Sequence, residues 1–178
     1  MGARTEFDRG KFEELIVYFA RRLGPEAALG RVKLAKLLMH SDFIAFRRLG
    51  RPITGATYEK WEHGHLPREF VMVEKDLIAA GAIQQEEVAY YGKRLKQTAA
   101  LRDPNMSDFS EDELGIIEGA IRIYGHESAT YLSELAHQEP GWELAEWREV
   151  IPYQTGLIGI ERPPESVFEE FRKLHQAA

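Results

Sequence analysis

Three places in the chain gather residue types that could do chemistry. His63-Gly64-His65, with Glu62 beside it, offers two imidazoles and a carboxylate, a transition-metal donor set if His126 or His137 folds nearby. His40-Ser41-Asp42 holds the residue types of a hydrolase triad. Gly24 to Gly30 followed by Arg31 has the outline of a phosphate-cradling loop. Spacing argues against each. Alternating histidines in a turn between a strand and a helix do not face one way, and no further ligand stands at zinc-site spacing. Successive residues of a helix point about 100° apart, so His40, Ser41 and Asp42 cannot line up as base, nucleophile and orienter; they are read as helix surface. The glycine loop has five intervening residues instead of four, and Arg31-Val32 stand where Lys-Ser/Thr belongs. No catalytic residue, metal or cofactor is therefore assigned, and the chain is read as a protein without enzymatic activity.

The elements that carry these residues follow from periodicity. Phe12, Leu15, Ile16, Phe19 and Leu23 predict a helix over 8–23, with Asp8 as N-cap. Val32 through Leu49 is apolar on nearly every face, which predicts a central helix enclosed on most sides and ended by Gly50. Ile53 to Trp61 reads as a short strand or extended segment, and Pro67 as the first residue of a third helix that carries Phe70, Val73, Leu77 and Ile78 and stops at Gly81. The polar-aromatic runs on either side of Gly92, from Val88 to Gln97, predict a projecting hairpin. Ser110 and Glu113 have capping-box spacing ahead of a fourth helix, and Ser128 caps a fifth. A turn or two follows over 142–147, an irregular stretch over 151–156, and a last helix after Pro163-Pro164 with Val167, Phe168, Phe171 and Leu174 inward. The expected fold is mainly α: a single compact domain over 1–178 of about six helices with a small β-hairpin wing.

Composition bounds the function. The 178 residues are 44% hydrophobic and contain no cysteine, which excludes disulfides, thiolate nucleophiles and Cys-ligated metals. No apolar run approaches the roughly 18 residues of a membrane helix, and the N-terminus has no signal-peptide core, so a soluble cytoplasmic protein is expected. Charge is uneven: residues 1–106 carry 18 basic and 14 acidic side chains, whereas 107–178 carry 5 and 15. An acidic distal half repels phosphate and suits a protein partner better than nucleic acid.

Three segments in succession carry a resemblance: Lys33-Leu34-x-Lys36-Leu37-Leu38, then Gly50-x-Pro52-Ile53-Thr54-Gly55, then Trp61-x-x-Gly64-His65-Leu66-Pro67. Phe109-Ser110-x-x-Glu113-Leu114 and the stretch from Ser128 to Gly141-Trp142 add to it. Over about residues 10–150 the chain resembles the Panacea domain family, also called SocA-like, with 151–178 as an extension. His65-Leu66 stand where the family usually has Pro-Val. The resemblance implies a mainly helical antitoxin of a type II toxin–antitoxin module, often phage- or prophage-borne, that neutralises a protein toxin by direct binding. It also makes Lys33, Leu34, Lys36, Leu37, Leu38, Gly64, Pro67 and Trp142 the family-motif residues.

By pattern these are scaffold residues, with Lys33 and Lys36 placed to pair with carboxylates of the acidic half. The toxin-binding candidates are Tyr90, Tyr91, Lys93 and Arg94 of the wing, together with Trp61 and Trp147, because exposed aromatic and Arg side chains are the usual anchors of protein interfaces. Trp142 and Trp147, five apart, are expected on different faces of one helix. The alternative function is a winged-helix transcriptional regulator. Against it, residues 67–80 carry Arg68 and Lys75 opposed by Glu69, Glu74 and Asp76.

Overall fold

The computed structural model describes residues 5–24 and 27–158. The expected helix after Pro163-Pro164 and part of the Gly24–Gly30 loop lie outside the described residues. Within them are six helices and two two-stranded antiparallel sheets, a helical majority with more strand than the sequence predicts.

Helix α1 (Arg9–Leu23) starts where the Asp8 carboxylate accepts the Lys11 N–H, and it buries the Phe12, Leu15, Ile16, Phe19 and Leu23 stripe. Helix α2 (Arg31–Leu49) is enclosed as expected, with all residues from Lys33 to Phe43 buried. That enclosure overturns one expectation. His40, Ser41 and Asp42 are core residues, 4%, 0% and 0% exposed, because a helix surrounded on every side leaves no solvent face for them.

The segment after α2 wraps back over Asp42, whose carboxylate accepts the N–H groups of Ile53 and Thr54 and the hydroxyls of Thr54 and Tyr58. Strand β1 (Tyr58–Trp61) then pairs with β2 (Gly64–Pro67) across the two-residue turn Glu62-His63. This hairpin is not among the sequence expectations. Pro67 ends β2 and does not open a helix; α3 (Phe70–Ala79) begins three residues later. Gly64 has φ +100°, and a Cβ there would stand 2.7 Å from both the Lys36 Nζ and the Ala136 Cβ, so only glycine lets the hairpin lie this close to α2. The stretch over 148–151, expected to be irregular from Ile151 on, adds to the free edge of β1: Ile151 N–H donates to the Tyr58 carbonyl at 2.8 Å and Lys60 N–H to that of Glu149 at 3.0 Å. A 3-10 turn over Tyr153–Leu157 follows.

The wing is longer than the runs around Gly92. Strands β3 (Ile83–Tyr90) and β4 (Lys93–Ala100) pair in full register around Tyr91-Gly92, both at positive φ (46° and 75°), as in a type I′ turn. Its base is tied to the chain entering α2, with the Thr98 N–H donating to the Leu29 carbonyl at 2.9 Å.

Helix α4 (Glu111–Tyr124) has the complete capping box of Ser110 and Glu113. The same Glu113 carboxylate receives Lys11 at 2.8 Å and Arg51 at 2.6 Å, joining α4 to α1 and to the end of α2. Burial raises its pKa, but Lys11, the Ser110 N–H and Arg51 outweigh that and hold it below the usual carboxylate range. Helix α5 (Ala129–His137) is capped by Ser128, and α6 (Pro140–Leu144) takes Pro140 as its opening residue. Because α6 ends at Leu144, Trp147 lies in the turn beyond it, on no helix shared with Trp142.

Candidate functional site

Lys33 and Lys36 sit on α2 with 3% and 2% exposure. Neither is ion-paired as expected. Lys33 Nζ donates to the Ala27 carbonyl at 2.7 Å and Lys36 Nζ to the His65 carbonyl at 2.8 Å, so both ammonium groups fasten neighbouring backbone. Burial lowers the Lys33 pKa, partly countered by Glu127, and lowers that of Lys36 to about 7. Leu34, Leu37 and Leu38 are wholly buried, as the pattern predicts.

Two imidazoles share this interior. His40 stacks on Tyr124 at 3.9 Å, and His65 meets the edge of Phe43 at 5.4 Å; His40 Nε2 and His65 Nδ1 have no hydrogen-bond partner. Burial pushes both pKa values down to about 3, with Lys36 adding to the effect at each. The folded protein therefore keeps both rings neutral while the unfolded chain protonates them near 6.5. As pH falls from about 6.5 towards 3 the unfolded state binds protons the native state refuses, and stability falls with it. His40→Phe preserves the stack and removes one titration. Urea titrations from pH 7 to pH 4 are expected to show a smaller loss of stability for this variant than for the parent.

His63 and His65 do not form a metal site. His63 is exposed in the β1–β2 turn, His65 is sealed inside, and His137 is bonded to the Glu62 carbonyl at 2.9 Å. Among the described residues no group of three His, Asp or Glu side chains converges as metal ligands.

The binding candidates fall on a connected surface. Three recesses meet at Val32 in the first turn of α2. One, of about 270 Å³, is lined by Arg31, Val32, Lys33, Tyr90, Lys96 and Glu127 among others. A second, of about 220 Å³, is lined by Val32, Lys36, Trp61, His63 and His65. The third runs along α5 past Val32, His63, Ser133 and His137. Tyr90 and Trp61 thus border adjoining recesses. At the wing tip Tyr91 is 91% exposed and packs edge-on against Tyr90 at 4.7 Å, next to the exposed Lys93 and Arg94. At the other end Trp147, 58% exposed, meets the half-buried Trp61 at 5.7 Å, and the Arg148 guanidinium lies 5.1 Å from the Trp61 ring centre.

Trp142 belongs to the scaffold beneath. It stacks on His137 at 4.1 Å, donates from Nε1 to the Trp61 carbonyl, and receives the Lys60 ammonium over its ring at 4.2 Å. The sequence pattern weighs His65 only as a metal donor and Val32 only as part of the apolar central helix; it gives neither a place at a recess.

A larger cleft of about 740 Å³ lies between the 55–58 segment and Val150–Gln154. Tyr58 and Tyr153 line it, and their hydroxyls are already committed, Tyr58 to Asp42 and Tyr153 to the Ala56 carbonyl.

The family profile of the SocA-like antitoxin Panacea domain matches residues 34–143, more than half of the chain. The chain belongs to this family. No curated protein and no solved structure matched it. The matched residues 34–143 contain α2 from Leu34, both hairpins, and α3 to α5; of these, α2, the two hairpins and α5 line the recesses, whereas Val32, where the recesses meet, lies just before the matched range. Among the described residues, no helix is long and apolar enough to cross a membrane.

Proposed function

We propose that this Panacea protein is the antitoxin of a type II module and neutralises a protein toxin by binding it through the face that runs from the wing tip, over Val32, to Trp61 and Trp147. Family membership supports the antitoxin role. The observation that carries the choice of surface is the meeting of three recesses at Val32, flanked by the exposed aromatic side chains Tyr90, Tyr91 and Trp147 and the exposed Arg94.

Aromatic and Arg anchors beside pre-formed depressions are the usual composition of interface hot spots. A stable masking interface buries about 1,200–2,000 Å² in total, and the wing with its neighbouring recesses offers an extended face for it. Helix α3, where a winged-helix regulator would read DNA, supports the protein partner instead: Val71, Met72 and Ile78 are its exposed large apolar residues, while Glu74 and Asp76 hold Arg31 and Arg9.

Co-expression with the product of the neighbouring gene tests the reading. Growth arrest by that product alone and recovery with this protein is the expected result, with the toxin's lifetime unchanged because masking needs no degradation. A toxin that remains unbound and active in its presence would end the proposal.

A further inference from the structure

The recess bordered by Trp61 is mostly apolar, with the buried Lys36 and His65 among its lining residues. Lys36 spends one ammonium hydrogen on the His65 carbonyl, and among the described residues no carboxylate is bonded to it. His65 Nδ1, also in the lining residue set, has no partner. Both side chains are at least 98% buried. Arg31 and Val32 of the first turn of α2 line the same recess, and that turn carries no acidic residue. A buried ammonium with free donors is costly unless an acceptor completes it.

The charged groups around the recess do not supply that acceptor. Arg31 at the rim is held by Glu74, His40 on α2 and His137 on α5 add no negative charge, and Glu62 stands exposed in the hairpin turn. We propose that this recess is a socket for one aspartate or glutamate side chain of the bound toxin, its carboxylate accepting from Lys36 and the walls of Val32, Ala35 and Trp61 covering its methylenes. The proposal rests on the toxin-binding reading and names the chemistry of one contact within it. A carboxylate fits better than a neutral acceptor because it turns an ammonium with one of its three donors committed into a charge-assisted pair.

The test uses the full chain and a small probe, N-acetyl-glutamate N-methylamide, against the corresponding glutamine compound. Titration followed by NMR at the His65 ring and at the Gly64 and Lys36 amides is expected to show saturable shifts for the glutamate probe in roughly the millimolar range. The glutamine probe is expected to bind about tenfold or more weakly. Lys36→Met should abolish the response. Should Lys36→Met fail to fold, Val32→Trp decides: it fills the mouth from a partly exposed position, leaves Lys36 in place, and is expected to keep the parent's melting behaviour while losing the probe.

Equal binding of the two probes, no saturation, or undiminished binding to Val32→Trp would overturn the socket. None of these uses the toxin, so they leave the antitoxin reading standing. Conversely, if the glutamate probe binds but Val32→Trp rescues growth as well as the parent, the socket is not where the toxin docks, and the assignment fails.

Discussion

Tyr91→Asn combined with Arg94→Glu is expected to abolish rescue from the toxin while leaving the protein as stable as the parent. Tyr91 occupies the first position of the wing turn at φ +46°, where Asn is favoured and Tyr is not, so the substitution creates the preferred Asn-Gly turn and removes an exposed ring. Arg94 contributes one exposed ion pair to Glu87 at 3.3 Å, an interaction worth well under about 1 kcal/mol. Neither change reaches the core. If the wing tip is an anchor, losing an aromatic and reversing a charge there weakens binding by about a hundredfold or more. The measurements are growth on co-expression and affinity by calorimetry, with thermal melting as the control. An unaltered affinity would remove the wing tip from the interface.

Asp42→Ala is expected to have the largest effect on stability. The carboxylate is wholly buried and accepts from the Ile53 N–H at 2.9 Å, the Thr54 N–H at 2.7 Å, the Thr54 hydroxyl at 2.5 Å and the Tyr58 hydroxyl at 2.9 Å, with the Tyr153 hydroxyl at 3.4 Å. Burial nevertheless outweighs these donors and raises the Asp42 pKa. Alanine leaves the donors buried without an acceptor, a loss of about 3–5 kcal/mol. For a chain of this size that lowers the melting temperature by roughly 6–20 °C. Thr54→Val removes one donor and keeps the acceptor, and is expected to cost a fraction of that. Equal effects of the two substitutions would mean that the network is not centred on Asp42.

The helices were legible because their chemistry is local. Asp8, Ser110 and Ser128 are caps whose side chains bond within three residues, and the stripe of α1 repeats at the helical period. The wing was legible for the same reason, since two polar-aromatic runs around a glycine specify a turn.

What depends on distant packing was not legible. His40, Ser41 and Asp42 look like surface by type. They are interior because α4, α5, the β1–β2 hairpin and the 3-10 turn close around α2. The β1–β2 hairpin escaped notice because charged Glu59 and Lys60 break its alternation. Those charges are satisfied across space: Glu59 receives Arg68 at 2.7 Å and Lys60 reaches the Ala145 carbonyl at 2.9 Å. Lys33 and Lys36 carried a readable signal, two cations in a helix apolar on every side, yet their backbone partners lie in loops whose positions no local pattern gives.

The binding candidates were chosen by residue type and wing geometry. Their arrangement on one face required the fold, because Val32 joins the recesses only once the wing base, the β1–β2 hairpin and α5 meet at the start of α2.

The central claim is that this face meets the toxin, and amide hydrogen exchange of the full chain with and without the neighbouring gene's product tests it most directly. Slowed exchange at 28–33, 61–66 and 88–96 on forming a stoichiometric complex is predicted. Protection confined to the acidic surface of α4 and α6, or no protection at all when the two proteins are mixed, would contradict it.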